Sequence, residues 1–118
     1  MANSDWEKIL RNPARFSGQD IELEGVITGS LIEQITPRQG IQTVISPHPT
    51  RSGLSLWVDD MDAKVLVFLP GRLRDAHIQS LQMVKNDGGC LYVGGRFEYK
   101  PGENGHIGRL DAIHYRNV

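Results

Sequence analysis

The apolar positions of the chain fall into two periods, one helical and one of alternation. Trp6, Ile9 and Leu10 stand at i, i+3 and i+4 in "NSDWEKILRN", a single helical stripe. Ser4 with Glu7 three residues on has the spacing of a capping box, and Pro13 ends the segment because the residue before a proline avoids the helical region. A short helix within residues 1–12 is therefore predicted. A second stripe, Leu73, His77, Leu81 and Val84 with Ile78 beside it, runs through "RLRDAHIQSLQMVKNDGG", and "NDGG" supplies its stop.

Between and after these helices the period changes to two. In "IELEGVITGSLIEQI", 21–35, Ile21 and Leu23 and then Val26 and Ile27 alternate around Gly25, so a strand is predicted with a bulge or bend at the glycine. A strand that bends there can serve two sheets. "LSLWVDD", 54–60, and "AKVLVFL", 63–69, alternate cleanly, and the "DDMD" between them predicts a β-hairpin that Pro70-Gly71 stops. "CLYVGGRFEYK", 90–100, is a long strand with a glycine pair at its middle, "PGENG" is a turn, and "HIGRLDAIHYR", 106–116, is the last strand. Residues 36–53, with three prolines and two glycines, predict a long loop, inside which "IQTVI" is a strand extension or a hairpin arm. The expected order is α-β-β-β-α-β-β, with no internal repeat.

Five strands with a helix between the third and fourth, and glycines bending the first and fourth, form the pattern of an OB-fold, a Greek-key barrel whose strand 2–3 face and neighbouring loops bind ligands. The wording resembles the tRNA-anticodon-binding-like OB family at several places. "LEGVITG" is similar to that family's first strand and "LSLWVDDMDAKVLVFLP" to its second and third. "CLYVGGRFEY" is similar to the fourth, "RLDAIHY" to the fifth, and "NPARFSGQDIELEG" to the entry segment of many bacterial OB domains. The resemblance spans residues 13–115, and the segment 36–53 departs from a minimal OB domain. It implies an all-β, five-stranded Greek-key OB-fold barrel over 1–118, preceded by the short helix, and a nucleic-acid-binding role.

Composition narrows the picture. A chain of 118 residues is one ordinary domain, long enough to bury a core without disulfides or metal. Charged residues make up 23%, and 13 basic side chains face 14 acidic ones for a net of −1, so no global basic footprint advertises nucleic acid. The single cysteine, Cys90, sits in an apolar run, where it reads as a small buried hydrophobe. It excludes a disulfide framework within the chain and favours a reducing compartment. With no apolar leader and no run long enough to span a bilayer, the expectation is a cytoplasmic protein with no membrane partner.

The candidate chemistry is thin for catalysis. Asp59, Asp60 and Asp62 are too closely spaced for a calcium loop and read as a turn. His48, His77, His106 and His114 show no zinc spacing, and neither a GxSxG elbow nor a phosphate loop is present. No cofactor, no metal and no enzyme activity are expected. The informative feature is the outward face of strands 2 to 4. With Leu54, Leu56, Val58, Val65 and Val67 inside a barrel, Trp57, Lys64, Leu66 and Phe68 point out, and Tyr92, Arg96 and Glu98 do so on strand 4. Aromatic platforms beside cations suit single-stranded nucleic acid, the rings stacking on bases and the cations taking phosphates.

Trp57, Phe68, Tyr92 and Phe97 are the stacking candidates, Phe97 with inward parity. Lys64, Arg96, Arg38, Arg51 and Lys100 are the phosphate candidates, with Arg109 also at the rim. The expected function is non-enzymatic binding of single-stranded DNA or RNA. The alternative is a module that docks on another protein or forms a homodimer, with "IQTVI" as the pairing edge, or with the N-terminal helix or the 36–53 loop covering Trp57 and Phe68.

Overall fold

The computed structural model describes residues 5–35, 39–47, 64–71, 78–100 and 106–117, with only the backbone of Ile78, Arg116 and Asn117. Its elements are α1 (Trp6–Arg11), a short 3-10 turn (Pro13–Phe16), β1 (Asp20–Ile27), β2 (Ile32–Gln34), β3 (Gly40–Pro47), β4 (Lys64–Pro70), α2 (Ile78–Asn86), β5 (Cys90–Tyr99) and β6 (His106–Asn117).

The strands lie in the order β1-β5-β6-β4-β3, and a β3–β1 pairing closes the circle. All pairings are antiparallel except β4 with β6, which is parallel. This closed five-strand barrel, with its one parallel pair and with α2 in the connection from β4 to β5, is the OB-fold expected from the sequence. Alternation decides what fills it. Leu23, Ile45, Val65, Val67, Leu91, Val93, Phe97 and Leu110 face inward and are fully buried. Burying such side chains stabilises the fold by roughly 1.5–3 kcal/mol each.

Gly25 bends β1 as predicted. Before it the strand pairs with β5, through Ile21–Gly95 and Leu23–Val93, and from it onward also with β3, through Gly25–Pro47 to Ile27–Ile45. A Cβ on Gly25 would stand 2.6 Å from the Ser46 carbonyl oxygen, so the two sheets meet there only because the side chain is absent. The glycine pair of β5 marks a second irregularity. The β5–β6 register slips between Gly94 and Gly95, from Gly94–His114 to Gly95–Ala112, leaving Ile113 as the extra, exposed residue of a bulge.

Three expectations need correction. The predicted strand 21–35 is interrupted at residues 28–31. Its two parts, β1 and β2, still lie along the same edge of β3, and Thr28 N–H donates to the Val44 carbonyl in the gap. Next, the partner of β4 is not 54–60, which lies outside the described residues together with the acidic turn. Both edges of β4 are occupied, one by β3 (Ile45–Val65 to Gly40–Pro70) and the other by β6, so the second barrel strand is 40–47, "GIQTVISP". Finally, "IQTVI" is not a free pairing edge, because β3 is flanked by β4 on one side and by β1 and β2 on the other.

Both helices pack on the barrel. Trp6 and Ile9 are fully buried in the core cluster, and the Trp6 indole donates to the Glu24 carbonyl at 2.8 Å. The N-cap is Asp5, and no side chain caps the helix. Asp5 instead ties α1 to β1: its carboxylate accepts the Glu22 N–H and its own N–H donates to the Glu22 carbonyl, both at 2.8 Å. In α2, Leu81 is buried and Val84 packs on the core, as the stripe predicts, while His77 and Leu73 lie outside the described residues. The helix stops at Gly88, whose φ is +68°, with Gly89 N–H donating to Val84 and Gly88 N–H to Lys85, the paired bonds of a Schellman motif.

Candidate nucleic-acid interface

The outer face of β3, β4 and β6 is built by the residues that alternate with the core. Along one row across the strands stand Gln42, Phe68 and Asp111; along the next stand Val44, Leu66 and Arg109. Phe68 is on the outer face, as its parity demands, but it is not the open platform expected. It is 1% exposed. Its ring lies over Gly40, where a Cβ would come within 2.6 Å of the ring's Cζ, and the Arg109 guanidinium carbon lies over the ring 5.9 Å from its centroid. Glycine at position 40 lets the ring lie flat against the sheet, and the cation covers it. Arg109 is held from the side as well, its Nε 3.3 Å from Asp111 Oδ1, and about a third of its side chain remains exposed.

Beside this platform β2 brings a further side chain to the same face. Gln34 Nε2 donates to Gln42 Oε1 at 2.7 Å, and both amides are half-buried. Lys64, half-buried, begins β4 opposite His106, and a register shift follows it before Val65.

The remaining candidates divide. Phe97 is fully buried in the core and is withdrawn as a stacking residue, since its inward parity places it under Gly108, where a Cβ would stand 2.8 Å from its ring. Tyr92 does face outward, and its hydroxyl donates to Glu22 Oε2. Its ring stacks with that of His114 (centroids 6.3 Å apart, planes 21° apart), and His114 Nε2 lies 3.7 Å from Glu22 Oε1. His114 reaches across the strand because Gly94 leaves the space: a Cβ there would be 2.2 Å from Nε2. Tyr92 is thus half-buried within a three-strand polar tie beside a carboxylate, a poorer platform for an anionic ligand than a free tyrosine. Arg96 and Lys100 are exposed, Arg96 with Asp20 and Asp111 as its cross-strand neighbours. Trp57, Arg38 and Arg51 lie outside the described residues.

Sequence reasoning missed Gln34 and Gln42, because it read "IQTVI" as a strand extension or hairpin arm inside a long loop and gave it no register, and it passed over Asp111 on the last strand. The signal was present in "GIQTVIS", where Gln42 alternates with Ile41 and Thr43.

Among the described residues no helix is long and apolar enough to cross a membrane, and no group of three or more His, Cys, Asp and Glu side chains is placed to hold a metal. No family model matches the chain, and neither a curated protein nor a solved structure matches it.

Proposed function

We propose that the chain is a non-enzymatic binding module for single-stranded nucleic acid, with Arg109 as its stacking surface. The observation that carries this reading is the Arg109 guanidinium lying over Phe68 with its edge tied to Asp111, on the barrel face where OB-folds take their ligands. A guanidinium is planar, and bases stack on it as they do on aromatic rings. Held between a ring below and a carboxylate at its edge, it loses little further conformational entropy when a base settles on it. Lys64, Arg96 and Lys100 would neutralise phosphates, with Arg38 and Arg51 as further cations and Trp57 as a further stacking ring, all three outside the described residues.

Titration of a labelled oligonucleotide at low salt tests the proposal. Stacking is worth about 1–3 kcal/mol per base, so Arg109→Ala is expected to weaken binding by about 5- to 150-fold. Arg109→Lys keeps the charge and removes the plane, so it is expected to fall close to Arg109→Ala. A lysine variant that binds like the wild type would remove the stacking role, and no binding by the wild type at low salt would remove the function.

The second reading is docking on another protein, and the observation in its favour is the edge of β2. Among the described residues β2 pairs only with β3, and the apolar side chains on and just after it are open, Ile32 at 50% and Ile35 at 78% exposed. Such an edge suits addition of an extended strand from a partner or a second copy. A self-associating species that Ile35→Lys dissociates would support this reading over the first.

A further inference from the structure

We infer that Gln34 and Gln42 form a base-reading pair for uracil or thymine beside the Arg109 platform, an inference that rests on the nucleic-acid reading above. The two amides hydrogen-bond to each other at 2.7 Å. Among the described residues neither has another partner. In such a pair one amide spends an N–H and the other its carbonyl oxygen. What remains for a ligand is a carbonyl acceptor on the first amide and an NH2 donor on the second. This holds whichever way the two amides are turned, since turning both only exchanges the roles of Gln34 and Gln42.

Position makes the pair relevant to a stacked ligand. Gln42 is the direct cross-strand neighbour of Phe68, and Phe68 lies under Arg109. A base lying on the guanidinium would bring its edge towards the amides rather than towards the acidic Asp111, which is already occupied by Arg109 Nε. Only β2 makes this possible: without the Ile32–Gln34 strand on the edge of β3, Gln42 would stand alone. A side-chain amide reads a base edge by giving one hydrogen bond and taking one.

Symmetry makes uracil and thymine the bases that suit the pair best. The pairing edge of uracil and thymine runs acceptor, donor, acceptor, with the ring N3–H between two carbonyls. A donor–acceptor pair meets that edge in either order, whereas cytosine and guanine accept it there in one order only and adenine in one order on each of its N1 and N7 sides. Uracil and thymine therefore meet the pair without fixing how the two amides are turned, whereas the other bases meet it only once the amides turn to suit them.

The test uses four probes of one length on the intact protein: oligo(dT), oligo(rU), and the same two with every base methylated at N3. Methylation removes the central donor and leaves the ring, sugar and phosphates in place. The wild type is expected to bind each methylated probe about tenfold more weakly than its parent, within the discrimination that a good two-bond base contact provides. In Gln34→Ala/Gln42→Ala that difference is expected to vanish, while the methylated probes bind the variant and the wild type alike. The parent pair separates RNA from DNA as the source of the base. Equal wild-type binding of parent and methylated probes would overturn the base-reading pair and leave the binding function standing. A difference that persists in the double variant would overturn the assignment to these two residues. Failure to bind any probe would remove the function and the inference together.

Discussion

Thr43 is the one buried polar side chain among the described residues whose hydroxyl has no hydrogen-bond partner. It is 1% exposed and sits inside the barrel opposite Val67. An unsatisfied buried hydroxyl costs about 1–3 kcal/mol, and valine has the same shape without the polar atom. Thr43→Val is expected to stabilise the protein by about 1 kcal/mol. The urea midpoint should rise with an unchanged slope, since a changed slope would mean an altered unfolded or native state rather than a relieved hydroxyl. At the same scale, glycines at Gly94 and Gly108 fix where larger neighbours lie, His114 over the first and Phe97 over the second. The two aromatic candidates that failed as open platforms, Phe68 and Phe97, both lie on glycines. Strand parity tells which face a ring is on, but it does not tell whether a neighbouring strand leaves the ring bare or roofs it.

At the level of elements, the two helices end and attach by different means. The C-terminus of α2 depends on Gly88, whose φ of +68° lies in the left-handed region, and a Cβ there would meet nothing within 4 Å. Gly88→Ala is therefore a purely conformational substitution, expected to cost about 1–2 kcal/mol in thermal or chemical unfolding without disturbing any contact. What the sequence made legible also divides by element. The amphipathic stripes located α1 and the core face of α2, and the glycines located the bend of β1 and the bulge of β5–β6. Alternation placed β4 and β5, and the apolar residues after the "PGENG" turn placed β6. Alternation misassigned the strand that pairs with β4, because 54–60 alternates more cleanly than "GIQTVISP" and lies nearer in sequence. Local pattern favours the shortest hairpin, whereas barrel closure chose a partner strand that β1 and β2 can also flank. The Gln34–Gln42 pair was hidden for the same reason, since it exists only once β2 and β3 are in register.

Over the whole molecule the charge balance is nearly neutral, so binding by general attraction to phosphate is weak and local placement decides. The cationic candidates are few: Lys64, Arg96 and Lys100 among the described residues, with Arg38 and Arg51 beyond them. Each phosphate neutralised on a single strand contributes about 0.7 to the slope of log affinity against log salt. The magnitude of that slope is expected to stay below about 3.5 even if all five take part, and to be near 2 if only the three described ones do. An oligonucleotide titration at several salt concentrations measures it. A much steeper dependence would mean that phosphate attraction, rather than stacking on Arg109, carries the affinity.

The parallel pairing of β4 with β6 has a consequence for how the protein comes into being. β6 is the last strand to be synthesised, yet it lies between β4 and β5, pairing with both along much of its length. A nascent chain that has emerged only as far as β5 holds one open sheet, β5-β1-β3-β4, with a gap between its β5 and β4 edges where the sixth strand belongs. Leu110 and Ala112, which finish the interior, arrive with that strand. The barrel therefore cannot close progressively during translation. It waits open along one seam and shuts in a single step when its final segment slots in, and Arg109, the platform of the proposed site, is delivered in the same event.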